Sequence, residues 1–387
     1  MNILFAHPKP ARISYKHMTA LSKIKGLNIY LICGKLSSDV LDDDIKKICK
    51  DYAAVLPLTK VPFLYKTYKK TIKEYVKKWD IDIVQTYSEP DDVAVATVES
   101  KLDIPIVFCN RDNVTAYTKE LLATRIVPRK IAYSKILGYI PREILYKYIF
   151  YLEKKAHEKS DARMYISPGM LEYSSKKHDV NGNNLVYTDW ALDDEVPKKQ
   201  KTKISKGKDE IHIGFSGAMV INDNYRNHLP FLNKLASGKI HVHMHIVTHD
   251  KESKEACRRA VKKNKNLHLY DDLLPALEFI EHLSSYDWGI IPFEAEFTYV
   301  DTLLTNKIYD YISAGVPTIT SEVKTLKKYL KENKLGFVYK DLDDLKKKLK
   351  KNKPSDYKVN PEKYLMSKNI DKIVDFYKKI IKEYKQG

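Results

Sequence analysis

The chain has 387 residues, of which 43% are hydrophobic, and this length suits two domains better than one hydrophobic core. Its four cysteines lie far apart and form no C-x-x-C pair, which argues against a disulfide framework or a zinc ribbon and favours a reducing compartment. The formal net charge of +18 indicates either a solvated lysine-rich surface or an acidic partner, such as nucleic acid, an anionic membrane or a phosphorylated substrate.

The N-terminal apolar run, Asn2–Ala6, is too short for the hydrophobic region of a signal peptide. No stretch of the sequence approaches the about 20 apolar residues that are needed to cross a bilayer. We therefore expect a cytoplasmic protein that is soluble or lies peripherally on the inner face of the membrane.

Short apolar runs alternate with helical patterns in the first half of the chain. The runs predicted as strands are Asn2–Ala6, Leu27–Cys33, Ala53–Pro57, Ile81–Thr86 and Ile104–Cys109, and the predicted helices between them include Ser14–Lys25 and Tyr65–Trp79. Strand, helix and strand in succession imply parallel pairing through right-handed crossovers. The pattern predicts a doubly wound α/β domain over residues 1–196.

A lysine-rich stretch at 197–210 has little apolar content and is predicted to be a linker. After it the alternation begins again, with predicted strands at Ile211–Phe215, His241–Val247, Asn266–Tyr270, Trp288–Pro292 and Thr318–Thr320. We expect a second α/β domain over 211–365. Residues 366–387 include a predicted helix with one apolar face, which we expect to pack back across the domain junction.

The segment after the fourth predicted strand of the second domain carries the most informative chemistry. A helix is predicted to begin near Thr305 or Asn306, which both suit an N-cap, and to end at a Gly-x-Pro stop. A helix N-terminus at the carboxyl edge of a parallel sheet presents free N–H groups and a partial positive charge, which suits phosphate. Lys307 can neutralise a diphosphate, and Asp310, one turn further on, can accept hydrogen bonds from ribose hydroxyls. This segment therefore predicts a site for a nucleoside diphosphate.

The sequence resembles the retaining GT-B glycosyltransferases of family 4 and their close relatives in two late motifs, Asp287-Trp-Gly-Ile-Ile-Pro292 and Asn306-Lys-Ile-Tyr-Asp-Tyr-Ile-Ser-Ala-Gly-Val-Pro317. Two further segments match in the expected order. Leu152–Met170 is similar to the end of the family's N-terminal domain, and Ile213–Gly217 is similar to its first donor-domain strand and glycine turn. The resemblance implies two Rossmann-like doubly wound domains that face each other across a cleft, with a nucleotide sugar as substrate and no cofactor.

The resemblance also implies a set of donor-binding residues: Ser216, Gly217, Arg226, Thr305, Asn306, Lys307, Asp310 and Tyr311. Arg226 is either a ligand of the diphosphate, which suits its planar guanidinium, or a surface arginine. The family places an acid eight residues before the Asp310 position, but this sequence has Thr302 there, and the neighbouring Asp301 cannot be assumed equivalent. We expect retaining, metal-independent transfer, and Thr302 leaves the stereochemical outcome open.

The predicted first domain contributes the acceptor side. Arg111 and Asp112 follow the strand Ile104–Cys109, where the family often carries a His-Asp pair near the donor sugar. Asp112 is therefore the catalytic candidate, either as a general base for the acceptor hydroxyl or as a ligand of a sugar hydroxyl. The other acceptor-side candidates are His7, Arg12, Glu89 and Arg111, for which a structural or solvated role is the alternative.

Three histidines, His241, His243 and His245, alternate along one predicted strand and so share a face. Three imidazoles could bind zinc, but no acid or cysteine in the sequence pattern completes the set. We therefore expect no metal.

Two basic stretches, Lys60–Trp79 and Lys135–Lys154, mix aromatic residues with lysines at helical spacing. Such helices either rest on an anionic membrane and gather a lipid-linked acceptor, or present aromatic rings to the core and lysines to solvent. The two alternatives predict the same composition.

The predicted function is transfer of a sugar from a nucleotide-diphosphate sugar to a hydroxyl acceptor, which is a glycan or a lipid-linked molecule. The alternative is a catalytically inactive sugar-nucleotide-binding or scaffold protein of the same fold, which the missing first acid favours. Nucleic-acid binding would need a recognisable module or a concentrated basic helix, and the sequence has neither, so no nucleic-acid partner is expected.

Overall fold

The protein is described by a computed structural model that covers residues 1–7, 12–34, 41–56, 65–87, 91–113, 115–116, 119, 142–180, 182–187, 190–205, 209–223, 226–248, 250–293 and 298–386. The chain forms two compact units. Met1–Asp189 and Asn369–Gly387 make the first unit, and Trp190–Lys368 makes the second. No helix in these residues is both long and apolar enough to span a membrane.

The first unit is built on a parallel sheet with the strand order β3-β2-β1-β4-β5-β6-β7. Its strands are β1 (Asn2–Ala6), β2 (Asn28–Gly34), β3 (Asp51–Leu56), β4 (Ile83–Tyr87), β5 (Ile106–Asn110), β6 (Ala162–Tyr165) and β7 (Asn183–Val186). Its helices include α1 (Arg12–Ser22), α2 (Leu41–Ile48), α3 (Tyr65–Lys78), α4 (Asp91–Val98), α5 (Arg142–Lys159) and α6 (Pro168–Lys177). The chain order reverses between β1 and β4, and ligands of such sheets bind at the carboxyl ends of the strands at that point.

The second unit repeats this design on a parallel sheet with the order β10-β9-β8-β11-β12-β13. Its strands are β8 (Ile211–Gly217), β9 (Ile240–Ile246), β10 (Leu267–Tyr270), β11 (Trp288–Ile291), β12 (Thr318–Ser321) and β13 (Gly336–Tyr339). Its helices include α7 (Leu229–Leu235), α8 (Lys251–Lys263), α9 (Ala276–Ser284), α10 (Thr298–Thr302), α11 (Asn306–Ser313), α12 (Lys324–Asn333) and α13 (Leu342–Lys351), and the short helix α14 (Met366–Asn369) ends at the first residue of the returning part of the first unit. The chain order reverses between β8 and β11. The predicted α/β class with two doubly wound sheets is confirmed.

Local sequence accounts for these elements in both units. The central strands are short apolar runs, and Leu4, Val84, Ile213 and Ile290 have no exposed surface. Polar residues cap several of the helices: Asp250, for example, caps α8 by accepting a hydrogen bond from Ser253 N at 3.1 Å. The apolar side chains of each sheet and its helices bury a separate core, so each unit has the organisation of a domain.

Three strands, β6, β7 and β13, were not predicted. β6 carries Arg163, a residue type that is seldom buried. Its guanidinium donates to the carbonyl oxygens of His157 at 2.6 Å and Ser160 at 2.9 Å, and these bonds make its burial tolerable. Both acceptors are main-chain oxygens six and three residues before Arg163, and a pattern of side-chain types does not show that they face the guanidinium.

The segment predicted as a linker, 197–210, falls within the second unit. Its described part runs along the end of α9. Lys201 N donates to Ser284 Oγ at 3.0 Å, and Ile204 N donates to the carbonyl oxygen of Ser285 at 3.0 Å. The division between the units falls earlier, between residues 189 and 190.

The C-terminal helix α15 (Asp371–Tyr384) belongs to the first unit. Its buried residues are Ile373, Val374, Phe376, Tyr377 and Ile380. Tyr377 Oη donates a hydrogen bond to Gln85 Oε1 in the middle of β4, and Asn183 Nδ2 donates to Glu383 Oε2 at 2.6 Å. The last helix therefore completes a domain that the first half of the chain begins.

Candidate functional site

The carboxyl end of β8 leaves room for the side chain of Lys307. Gly217 ends this strand with a φ of +139°, a backbone conformation that L side chains rarely adopt. A Cβ on Gly217 would lie 2.5 Å from Lys307 Cε and 2.9 Å from Lys307 Nζ. The absence of a side chain at this glycine is therefore what lets the Lys307 amine lie against the end of the central strand.

Helix α11 begins at the position that the capping pattern predicts. Thr305 is the N-cap, and its Oγ1 accepts a hydrogen bond from Lys307 N at 3.1 Å. Asn306 is exposed at the first helical position. The partial positive charge of the helix N-terminus thus falls in the turn that carries Lys307.

Lys307 is half-buried, and its Nζ lies 5.1 Å from the centroid of the Phe293 ring. Burial lowers the pKa of Lys307 to about 8, and the positive charge of Arg226 adds to this effect while Asp310 opposes it. The amine of Lys307 therefore lies in the electrostatic field of a second cation, Arg226, as well as of the Asp310 carboxylate. A bound diphosphate would neutralise both cations and remove their mutual repulsion.

Arg226 lies on the loop that follows β8. Its Nε is 3.9 Å from Asp223 Oδ2, and Asn227 Nδ2 holds the loop by donating to the carbonyl oxygen of Ile221 at 2.9 Å. The structure thus brings Arg226 close enough to Lys307 to lower its pKa, although the two are far apart in sequence.

A histidine that the sequence did not single out lies under this site. His228 is buried, with its ring centroid 5.4 Å from that of Phe215 and 5.9 Å from that of Phe293. Burial, followed by the charge of Lys307, lowers the pKa of His228 to about 3. His228 is therefore a neutral packing residue that supports the Phe293 ring, and a lone histidine in the sequence gives no signal of that role.

Tyr311 was predicted to bind the donor, and the structure places it in the core. Its ring lies over Gly289, where a Cβ would be 2.3 Å from Tyr311 Cγ. Its hydroxyl accepts from Ser216 N at 3.2 Å and lies 3.1 Å from the carbonyl oxygen of Gly214 and 3.0 Å from that of Ile290. The Tyr311 hydroxyl therefore joins the ends of β8 and β11. The hydrogen bond that it accepts from Ser216 N fixes the backbone of Ser216.

Thr302, at the position of the family's first acid, and the neighbouring Asp301 both make structural contacts. Thr302 is buried, and its Oγ1 donates to the carbonyl oxygen of Tyr299 at 2.8 Å. Asp301 Oδ1 accepts from Lys324 N at 2.9 Å and so caps α12. Asp310 remains half-buried on α11, one turn after Lys307.

In the first unit, His7 and Arg111 both contact the ring of Tyr87, at the carboxyl ends of β1, β4 and β5. The His7 ring centroid is 4.7 Å from the Tyr87 ring centroid, and Arg111 Cζ is 5.9 Å from it. Gln85 Nε2 donates to Tyr87 Oη at 2.6 Å, which holds the tyrosine in place. The structure thus joins two predicted acceptor-side residues through a tyrosine that the sequence did not single out.

Asp112 is half-buried in the segment that follows β5. Both ends of this segment are anchored. Asn110 Nδ2 lies 3.0 Å from His157 Nε2, and Thr115 N donates to Glu153 Oε2 at 3.0 Å. The position of Asp112 is therefore set by two residues of α5.

Those two residues belong to a buried network with a third residue, His178. Glu153 Oε1 lies 3.0 Å from His178 Nε2, and the His157 ring stacks on that of His178 with centroids 4.8 Å apart. His157 Nδ1 lies 3.2 Å from Tyr165 Oη, and burial places the pKa of His157 well below its usual range. The network is neutral at His157 and joins α5 to β5, β6 and the end of α6.

Two acceptor-side predictions cannot be placed. Glu89 lies outside the described residues, and Arg12 begins α1 but its side chain is outside the described part. His7, by contrast, is buried, and its Nδ1 lies 3.1 Å from Ser14 Oγ.

Comparison with known proteins agrees with this architecture. Residues 224–383 match the family model "Glucosyltransferase 3-like, C-terminal domain". The chain is similar in structure to a sucrose-phosphate synthase from Thermosynechococcus elongatus, with a TM-score of 0.70 and 10% identity over 99% of this chain and 100% of the other. No curated protein sequence matches the chain.

Two further structures extend the comparison. A glycosyltransferase from Rickettsia africae has a TM-score of 0.68 and 13% identity over 98% of both chains. A UDP-GlcNAc 2-epimerase from Neisseria meningitidis, solved with UDP-GlcNAc bound, has a TM-score of 0.58 and 12% identity over 98% of this chain and 100% of the other. At these identities the likeness shows the fold, and the predicted GT-B fold is confirmed, whereas family 4 itself stays a resemblance.

Proposed function

We propose that this glycosyltransferase, a GT-B protein whose residues 224–383 match a glucosyltransferase 3-like C-terminal domain, transfers a sugar from a nucleotide-diphosphate sugar to a hydroxyl acceptor. The observation that carries the proposal is the position of Lys307. Its amine lies against Gly217 at the end of the central strand, with Arg226 and Asp310 within electrostatic reach.

The chemistry of this site fits a diphosphate leaving group. When the bond between the sugar C1 and the phosphate oxygen breaks, negative charge develops on the diphosphate. The Lys307 ammonium and the Arg226 guanidinium would stabilise that charge from fixed positions, which lowers the barrier of the transfer step. Asp310 would accept hydrogen bonds from ribose hydroxyls. Fixed cations of this kind can do this work without a divalent metal at the diphosphate.

The first unit supplies residues for the acceptor. We place His7, Arg111 and Asp112 on the acceptor side, because His7 follows β1, which forms the switch point with β4, and Arg111 and Asp112 follow β5, which pairs with β4. Asp112 either removes the proton of the acceptor hydroxyl or binds a sugar hydroxyl. In a retaining reaction the donor phosphate can take that proton, and Asp112 then binds only.

A lipid-linked acceptor would require contact with a membrane, and α5 offers a surface for it. Ile144 and Tyr151 are 57% and 51% exposed, and Lys147 and Lys154 are exposed on the same helix. We propose that this face rests peripherally on an anionic membrane on the cytoplasmic side. Wild-type protein should sediment with anionic liposomes at low salt and be released by high salt. If Ile144→Ser sediments with the liposomes as strongly as wild type, this face of α5 is not the membrane-binding surface.

The donor proposal is tested by binding. Any ligand that binds only the folded protein raises its melting temperature, so a panel of nucleotide sugars should contain at least one that does so. UDP-sugars come first in the panel, because the epimerase of the same fold binds UDP-GlcNAc. Lys307→Ala should weaken binding of the identified nucleotide at least tenfold. Lys324→Ala, at the start of the neighbouring helix α12, is the matched control and should bind normally. If Lys307→Ala binds the nucleotide as tightly as wild type, the nucleotide does not bind at the start of α11.

A second candidate function is a catalytically inactive sugar-nucleotide-binding protein. It is favoured by Thr302 and Asp301, since one is bonded within α10 and the other caps α12. Release of nucleoside diphosphate from the identified donor in the presence of an acceptor panel separates the two functions. Tight binding with no release over the whole panel would favour the inactive protein.

A further inference from the structure

Histidines from three neighbouring strands form one stacked array on a face of the second sheet. This histidine array consists of His212 on β8, His241, His243 and His245 on β9, and His268 on β10. The ring centroids of His212 and His241 are 4.9 Å apart, and those of His243 and His268 are 4.5 Å apart. The donor site uses none of these residues.

Four of the rings are joined in pairs through their nitrogens. His212 Nδ1 lies 2.9 Å from His243 Nε2, and His241 Nδ1 lies 3.2 Å from His268 Nε2. In each pair one nitrogen carries the proton, and the other accepts the hydrogen bond through its lone pair. A protonated imidazole has no lone pair, so each hydrogen bond persists only while at least one ring of the pair is neutral.

Two tyrosines enclose the inner rings of the array. The Tyr286 ring centroid lies 4.4 Å from that of His243, and Tyr286 Oη lies 2.8 Å from His245 Nε2. The Tyr270 ring stacks on that of His245 with centroids 4.5 Å apart. His243 and His245 are both buried, so a positive charge on either ring would lose its solvation by water.

Two acids lie at the outer edge of the array. Glu210, directly before β8, places Oε2 3.6 Å from His212 Nε2 and Oε1 3.9 Å from His241 Nε2. Asp287, directly before β11, accepts a hydrogen bond from His212 N at 2.8 Å, and its charge favours the protonated form of the His212 ring. Acids thus face the outer rings, whereas the neighbours that act on His243 electrostatically are other histidines.

Burial keeps the inner rings neutral. It lowers the pKa of His243 to about 2, and the positive charge that neighbouring histidines would carry adds to this effect. Burial, followed by the charge of His282 on α9, lowers the pKa of His245 to about 3. The pKa values of His212 and His268 are also lowered, first by burial. An unfolded histidine titrates at about pH 6.5, so the unfolded chain takes up protons in mild acid that the folded array excludes.

We propose that the histidine array is an acid-sensitive switch, whose protonation separates β8, β9 and β10 and unfolds the second unit. The stability that the neutral rings contribute is fully present above about pH 6.5 and decreases as the pH falls below it. The consequence for the donor site rests on the proposed function. Because β8 carries His212 near its start and Gly217 at its end, the unfolded unit no longer holds the strand end against which the Lys307 amine lies.

The size of the effect follows from the number of protons. Each ring that is neutral in the folded unit and protonated in the unfolded unit raises the unfolding constant by up to about tenfold per pH unit. His243 and His245 together therefore contribute up to about a hundredfold per pH unit between roughly pH 5.5 and pH 4.5. His228 in the same unit is also buried, with its pKa lowered to about 3, and adds to the total. The share of the array is therefore measured as a difference between variants.

The test follows urea unfolding of the full-length protein at a series of pH values from 7 to 4.5. A Trp79→Phe parent leaves Trp190 and Trp288 as fluorophores, and both belong to the second unit. His243→Gln keeps a donor and an acceptor at its position, and His245→Phe keeps an aromatic ring for stacking. Each substitution should lower the pH dependence of the unfolding constant by about tenfold per pH unit relative to the parent. Return of the parent from acid to pH 7 should restore its fluorescence.

His17→Gln is the matched control. His17 is also a buried histidine, and burial lowers its pKa to about 3, but it lies on α1 in the first unit. This variant should keep the pH dependence that the two tryptophans report. The proposal is overturned if unfolding of the parent's second unit does not depend on pH between 6.5 and 4.5. It is also overturned if neither His243→Gln nor His245→Phe reduces that dependence, or if His17→Gln reduces it equally.

NMR of wild-type protein labelled with ¹⁵N-histidine answers the same question where a variant does not fold. Protonated signals of His243 and His245 should appear only together with unfolding, and their protonation in a folded second unit would overturn the proposal. Acid should lower the fraction of protein that binds nucleotide in step with the folded fraction, and leave the affinity of the folded unit unchanged. If the array responds to acid as expected but no nucleotide binds at pH 7, the donor proposal fails and the switch stands.

Discussion

Lys307 passes directly over Gly217, so that a methyl group at the glycine would lie 2.5 Å from the lysine Cε. The two residues come from a strand end and a helix start that are distant in sequence. Because their contact leaves no room for a side chain, the position of the amine depends on the glycine as much as on the lysine.

Gly217→Ala is expected to weaken nucleotide binding at least tenfold, because the new methyl group displaces the Lys307 side chain and one charge-assisted contact to phosphate is worth roughly 1.5–3 kcal/mol. The measurement is titration of the nucleotide identified by thermal shift. Gly238→Ala is the matched control, since Gly238 also has a positive φ, of +62°, but has no atom within 4 Å of its Cβ position. It should lose about 1–2 kcal/mol of stability and keep its affinity. Unchanged affinity of Gly217→Ala would show that the amine does not contact the ligand.

The pKa of Lys307 predicts how nucleotide binding depends on pH. Burial lowers this pKa to about 8, so the ammonium that attracts the diphosphate is lost as the pH rises through that value. Nucleotide affinity should be constant below pH 7 and decrease above pH 8. The decrease should approach a factor of ten per pH unit, which is the limit when binding is coupled to one proton. Lys307→Arg should bind without this fall, because a guanidinium stays charged. If the affinity of Lys307→Arg falls by the same amount, the pH dependence comes from a group other than Lys307.

Tyr311→Phe should destabilise the second unit. The substitution keeps the ring over Gly289 but removes the hydroxyl that Ser216 N donates to and that lies beside two strand carbonyl oxygens. Loss of buried hydrogen bonds of this kind costs about 1–3 kcal/mol, which urea unfolding measures. Tyr357→Phe removes one bond, at 3.0 Å to Asn352 Oδ1, in a half-buried position and should cost less. Equal losses of stability in the two variants would contradict the role of the Tyr311 hydroxyl in joining β8 to β11.

Asp301→Ala distinguishes a helix cap from a catalytic acid. Asp301 Oδ1 accepts from Lys324 N, so the substitution should cost about 1 kcal/mol of stability through loss of the α12 cap. Asp301→Asn retains an oxygen that can accept this bond and should restore most of the stability. Nucleotide affinity and turnover should stay at wild-type levels in both. A loss of turnover beyond tenfold in Asp301→Asn, with stability retained, would instead make Asp301 the missing acid.

Tyr377→Phe should loosen the docking of α15 on the first unit. Tyr377 Oη donates to Gln85 Oε1 in a fully buried position, and the substitution leaves that oxygen without its partner, at a cost of about 1–3 kcal/mol. Tyr384→Phe on the same helix removes an exposed bond to the carbonyl oxygen of Leu102 and should change stability by less than about 0.5 kcal/mol. Thermal unfolding compares the two. A smaller effect for Tyr377→Phe than for Tyr384→Phe would contradict this packing.

Much of the fold can be predicted from the sequence, because strand and helix periods are local properties. The alternation of apolar runs predicts both α/β sheets. The N-cap at Thr305 and the stop at Gly315 before Pro317 predict α11, which ends at Ser313. β6 was not predicted, because a buried arginine interrupts its short apolar pattern, and the main-chain oxygens that make the burial of Arg163 tolerable do not appear in a pattern of side-chain types.

The sequence by itself determined which residue types could bind a nucleotide, through motifs whose spacing follows one helix and the strand before it. Only the tertiary structure decided what each does. It placed Tyr311 in the core and Asp301 on a helix cap, brought Lys307 to Gly217, and set Glu210 against two histidines. The physical reason is that capping and periodicity act over a few neighbouring residues, whereas contacts, burial and pKa values depend on groups that chain folding brings together from distant positions.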